Sequence, residues 1–159
     1  MNRIIRLCAA LALFPLFFLM TAGPCRALDL LVSGAWSLRG SGSMWSSPSP
    51  AVASAGGDVL LSVMGVRAGE PWKVTADFGG PGMPENTRVW IRRGGAGQGA
   101  GWIDGGLVFI PLGARDTTLF TGAGDRMQIP LEVKVDGITP LTPSGLFRGE
   151  LRFKAVSLR

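Results

Sequence analysis

The sequence predicts an all-β fold, an antiparallel β-sandwich of roughly seven to eight strands with an Ig-like layout. Three observations carry this expectation. Apolar and polar residues alternate with period two in three separate stretches, the pattern of strands with one face on a core and one in water. The chain holds 24 glycines among 159 residues, and no window between them sustains an i, i+3, i+4, i+7 apolar repeat. A glycine inside a helix costs about 1 kcal/mol relative to alanine. Turn signals then punctuate the chain at short intervals, among them Ala55-Gly56-Gly57-Asp58, Gly79-Gly80-Pro81-Gly82, Gly122-Ala123-Gly124-Asp125 and Thr142-Pro143-Ser144-Gly145.

Residues 1–27 read as a secretory signal peptide. Arg3 and Arg6 precede a continuous apolar run over 7–20, and Gly23 and Pro24 break it. Cys25 and Ala27 then offer small residues at the −3 and −1 positions of a cut before Leu28. The short apolar run argues against an uncleaved anchor. Pro24 argues against a lipid anchor on Cys25, because it sits where such signals carry a small non-proline residue. One domain is therefore expected over 28–159.

Within that domain the strands follow in order. Residues 28–36 form the first, and the Ser, Gly, Pro and Ala-rich stretch 39–54 is a long loop, since Pro48 and Pro50 cannot sit in a central strand. Residues 58–66 form the next. In 71–78, Trp72, Val74, Ala76 and Phe78 share one face, with Lys73, Thr75 and Asp77 opposite. Weaker strands are expected at 87–93, 106–110 and 117–120. In 127–136, Met127, Ile129, Leu131, Val133 and Val135 alternate with polar residues and Pro130, which marks that strand as an edge or as bulged. In the last, Phe147, Gly149, Leu151, Phe153 and Ala155 alternate with Arg148, Glu150, Arg152 and Lys154.

Cleavage at Leu28 changes the charge arithmetic. Arg3, Arg6 and Arg26 leave with the signal, so 13 of the 16 basic residues face all 11 acidic ones and the net charge falls from +5 to +2. With no basic cluster beyond Arg92-Arg93, nucleic acid is not an expected partner. No second apolar run reaches the roughly 18 residues that span a bilayer, so no integral membrane segment is expected after cleavage. Both cysteines, Cys8 and Cys25, lie in the signal, and the chain has no histidine or tyrosine. The domain thus offers no disulfide, thiolate nucleophile, histidine base or Cys/His metal site, and the expectation is a non-enzyme without cofactor or metal.

Several motifs invite chemistry. The run Gly94-Gly95-Ala96-Gly97-Gln98-Gly99-Ala100-Gly101 resembles a phosphate cradle, but strict Gly-x-Gly-x-x-Gly spacing and a following Gly-Lys-Ser/Thr are missing, so a flexible hairpin loop is expected. Asp77, Glu85, Asp104 and Asp116 are the carboxylates a glycosidase-type pair would draw on, and turn positions in solvent are the expectation for them. Calcium at Gly122-Ala123-Gly124-Asp125-Arg126 has one aspartate in its favour, against the ligand-dense loops that hold calcium tightly. Tryptophans are the better ligand candidates. Trp72 is expected in the core, while Trp45, Trp90 and Trp102 are candidates for stacking on sugar rings. Arg88 and Arg92 flank Trp90 on the face opposite Val89 and Ile91 and would join it in a site or form a cation–π ladder.

The run Thr142-Pro143-Ser144-Gly145-Leu146-Phe147-Arg148-Gly149-Glu150-Leu151-Arg152-Phe153 resembles the end of secreted bacterial fimbrial-type β-sandwiches, including the spore coat protein U-like group. In these a Pro-x-Gly-x-aromatic turn launches the last alternating strand, and Phe147 takes the aromatic position. Residues 127–135 resemble the strand paired with it, so the likeness covers about the last 35 residues. It implies a bacterial source and a structural or adhesive role at the cell surface, periplasm or medium, with subunits associating by strand pairing. The chain departs from chaperone–usher pilins in lacking a disulfide and a near-terminal tyrosine. The residues themselves leave a second function open, a carbohydrate-binding module working through exposed tryptophans. A third, a hydrolase using carboxylates alone, ranks behind both. Residues 28–38 form an apolar strand on a tether of about 16 residues that reaches about 20–24 Å. This spans either its own sandwich or a neighbour's edge, and the missing near-terminal tyrosine and the complete last strand favour pairing at home.

Overall fold

Alternating side-chain burial along the strands builds two facing antiparallel sheets. The computed structural model describes residues 28–36, 52–53, 59–80, 86–137 and 149–158. The strands are β1 (Asp29–Gly34), β2 (Val52–Ala53), β3 (Val59–Met64), β4 (Pro71–Gly79), β5 (Arg88–Arg93), β6 (Ile103–Asp104), β7 (Ile110–Leu112), β8 (Thr117–Ala123), β9 (Arg126–Asp136) and β10 (Glu150–Ser157). One sheet runs β1-β3-β9-β5-β7, with β2 also on β9, and the other runs β10-β4-β8-β6. From β3 to β10 every connection crosses from one sheet to the other. The expected all-β sandwich is the fold.

Inward residues of both sheets fill the space between them. Val59, Leu61, Val63, Val89, Ile91, Ile129, Leu131, Val133 and Val135 come from one sheet, and Trp72, Val74, Ala76, Leu119 and Phe120 from the other. Trp72 is the largest side chain fully removed from water. Its indole N–H donates to the Gly124 carbonyl at 2.8 Å, and Phe120 meets its ring edge-on at 6.3 Å. A buried indole so partnered leaves no unsatisfied donor behind.

The final strand follows its alternation. Leu151, Phe153 and Ala155 pack against the core, while Arg152 and Lys154 face water. Phe153 is only half-buried because β10 is a sheet edge. Phe153→Ala should therefore cost about 2 kcal/mol, less than the about 3–5 kcal/mol of a fully enclosed aromatic. Arg152→Ala should stay within about 0.5 kcal/mol. Urea melts of the two variants measure the difference, and equal losses would place the register one residue out.

Other expectations need correction. β9 is an inner strand between β3 and β5, not an edge, and Pro130 is accommodated by position. Its carbonyl accepts from Gly94 N at 2.7 Å, so its missing donor faces β5 just where that ladder ends at Arg93. The bulge lies two residues earlier. Pairing with β3 slips between Leu61 and Val63, and Gln128 takes a φ of 54°. That slip takes Met127 out of the core-facing phase and leaves it 43% exposed, against the alternation.

The strand expected at 106–110 begins only at Ile110, since Gly105 and Gly106 both adopt positive φ and turn the chain from β6 to β7. β6 was not anticipated. Val52 and Ala53, inside the expected loop 39–54, pair with Val135 and Lys134 of β9. Residues 1–27, expected to be a signal peptide, and Trp45, Glu85, Phe147 and Arg148 lie outside the described residues.

Candidate functional site

β5 presents Arg88, Trp90 and Arg92 outward and Val89 and Ile91 inward, as the alternation requires. The outward residues do not form a free stacking platform. Trp90 donates its indole N–H to Asp136 at 2.7 Å, and the Lys134 ammonium sits 5.7 Å from its ring centroid. Arg92 makes two bonds to one Glu132 oxygen, at 2.6 and 2.8 Å, and lies 4.5 Å over the Phe109 ring. The expected Arg88-Trp90-Arg92 ladder is thus replaced by cross-strand pairs. Glu132 and Lys134 stand directly opposite Arg92 and Trp90 in the β5–β9 register.

Among the described tryptophans the exposed one is Trp102, at 52%. It follows the glycine run and precedes β6, and its carbonyl accepts from Ala123 N at 3.0 Å. The backbone is therefore fixed while the ring faces water. Trp36, which sequence reasoning placed only at a strand end, fills the space between the sheets. It packs on Phe153 at 6.4 Å and its N–H reaches the Leu131 carbonyl at 3.3 Å. Its even-numbered phase with Leu28 and Leu30 was the available signal, hidden by the break at Gly34.

The glycine run is neither a phosphate cradle nor a hairpin. It carries the chain from β5 in one sheet to β6 in the other, lying flat along the β8–β9 corner. Gln98 and Met127 exchange backbone bonds of 2.7 and 2.8 Å. A Cβ at Gly101 would run into the Ala123 carbonyl oxygen, and one at Gly97 into that of Met127. Close approach of two backbones is what demands glycine there. Beneath it Arg93 is buried, donating to the Gly105 and Gly95 carbonyls. Desolvation lowers its pKa, with Asp104 opposing.

The carboxylates separate into distinct surroundings. Asp77 and Asp116 come together on the outer face of the second sheet, with Lys154 between them at 3.8 and 2.8 Å. Asp77 is buried beneath Lys154 and Arg152, against the expectation of a solvated residue. The Lys154 hydrogen bond holds the Asp116 carboxyl below its ordinary value, and the same bond raises the Lys154 ammonium. A carboxylate kept ionised in this way is a poor proton donor at neutral pH. Asp104 is exposed on β6, away from this pair in the register. At the calcium candidate loop, Asp125 Oδ1 accepts from Val66 N at 2.7 Å and the Gly124 carbonyl accepts from the Trp72 indole at 2.8 Å. No group of three or more metal-ligating side chains occurs among the described residues, and no helix among them is long and apolar enough to cross a membrane.

What these surroundings define is a β-sandwich on whose outer faces Arg92, Arg152 and Lys154 pair with carboxylates across strands. Compared with known proteins, the chain matches no family model, no curated protein and no solved structure.

Proposed function

We propose that the chain is an exported, non-catalytic bacterial surface protein, a structural or adhesive component of the fimbrial kind. The observation that supports this reading is β10. The strand bearing the resemblance forms a regular eight-residue edge on β4, with its apolar face toward the core and Glu150, Arg152 and Lys154 outward. A second reading, a carbohydrate-binding module, is favoured by the exposed Trp102 alone. Trp90 no longer supports it, because both its ring and its N–H are engaged.

Passage of the exported chain over polysaccharide resins separates the two. The structural reading expects elution with an inert control protein. Retention that disappears in Trp102→Ala would replace it with the module.

A further inference from the structure

We propose that the chain pairs edge to edge with a second copy of itself through β1, antiparallel about a twofold axis at Leu31. The proposal rests on the geometry of β1 and holds whichever role the protein has. Among the described residues β1 pairs with β3 alone, and it does so within its own chain. No other strand among the described residues lies on its second edge.

The direction of its backbone groups follows from the ladder. Successive residues of a strand aim their N–H and C=O to alternate sides. Pro130 faces β5, so Ile129 and Leu131 face β3, and their partners Leu61 and Val59 face back. Leu60 and Ser62 then face β1, toward Ser33 and Leu31. The Ser33 hydroxyl, 3.5 Å from the Leu60 carbonyl, lies on that side. The N–H and C=O of Leu30 and Val32 therefore point out of the sheet. Exposure agrees: Val32 stands opposite fully buried Leu61 on the core-facing side yet is 40% exposed, and Leu31 is 54% exposed.

A second β1 satisfies this edge without conflict. A twofold at Leu31 sets Leu30 against Val32 of the second copy, and Val32 against its Leu30. These are two closely bonded pairs with four backbone hydrogen bonds. Leu31 meets Leu31, and Asp29 meets Ser33, so no like charges stand opposite. The other edges are guarded. β6 has two residues, and β7 has three with Pro111 at its centre. On β10, every twofold near the strand centre, at Arg152, Phe153 or Lys154, sets cation against cation, which leaves it only off-centre registers such as one at Ala155. Short length, proline and edge charge are the usual devices against such pairing, and β1 carries none beyond Asp29 at its end. Strand addition of this kind draws affinity from main-chain bonds. So short an edge falls below about 1,200 Å² of interface, so association should be weak and concentration-dependent.

Disulfide trapping tests the geometry. Leu31 pairs with itself at a non-hydrogen-bonded position, where Cα atoms stand about 4.5 Å apart, within the range a disulfide spans. Cys8 and Cys25 are first changed to serine in the exported full-length gene, so that the introduced thiol stands alone. Leu31→Cys should then oxidise to a covalent dimer at least tenfold faster than Val156→Cys, an exposed site on the β10 edge. Asp29→Cys mixed with Ser33→Cys should cross-link, and Asp29→Cys alone should not. Leu31→Lys in the cysteine-free chain should weaken self-association in sedimentation at least tenfold. Equal rates for Leu31→Cys and Val156→Cys, or a chain that sediments as monomer up to millimolar concentration, would overturn the proposal.

Discussion

Trp72→Ala should remove about 3–5 kcal/mol of stability, the range for emptying a large aromatic site in a core that cannot fully collapse. The indole lies entirely out of water, with the Phe120 ring in a T-shaped contact beside it and Gly122 paired opposite it on β8. A Cβ at Gly122, the residue paired with Trp72 across β4 and β8, would sit 2.5 Å from the ring, so the indole already fills the space over that position. Truncation leaves a cavity and strands the Gly124 carbonyl without its 2.8 Å donor. Trp72→Phe isolates that second loss. It keeps most of the ring volume and should cost less, about 1–3 kcal/mol, chiefly for the buried unpaired acceptor. Urea denaturation followed by near-ultraviolet circular dichroism gives both values. Two variants of equal stability would mean that the hydrogen bond, not the packing, holds this region.

Gly101→Ala should be nearly as damaging despite adding one methyl group. Its Cβ would enter the Ala123 carbonyl, and this is backbone, which cannot swing aside. Either the crossover lifts from the β8–β9 corner, breaking the Trp102–Ala123 bond, or β8 shifts against Trp72. We expect a loss of about 3 kcal/mol, the upper end for overpacking. Gly113→Ala is the matched control. Nothing lies within 4 Å of the position its methyl would occupy, so its effect should stay within about 0.5 kcal/mol. If both changes were tolerated alike, the glycine run would be a free loop.

Alternation made the long strands legible. β4, β9 and β10 were readable because period two over eight or more residues has no helical counterpart, and the inward residues they nominated are largely the core. Short elements were not. β6 and β7 hold two and three residues and depend on paired partners for their existence, which no local pattern records. The bulge at Gln128 was hidden for the same reason. It is a property of the β3–β9 register, and it exposes Met127 although the alternation continues through it.

The candidate site was legible by face and not by occupancy. Arg88, Trp90 and Arg92 share the outward face that their spacing implies. Whether that face is free depends on Glu132, Lys134 and Asp136, some 40 residues further along the chain. Asp77 shows the converse. Its position between Ala76 and Phe78 assigns it to the outer side of β4, but the long side chains of Arg152 and Lys154 cover it. The glycine run concealed its role as well, since glycine for mobility and glycine for close approach look identical until the opposing carbonyls of Met127 and Ala123 are in place.

A surface component of the proposed kind would be exposed to the medium on intact cells. Antibody labelling of intact cells expressing the chain, beside cells with a permeabilised envelope, tests it most directly. Strong labelling of intact cells is expected, with removal of the chain by protease added outside. Labelling that appears only after permeabilisation, with the chain protected from external protease, would contradict it.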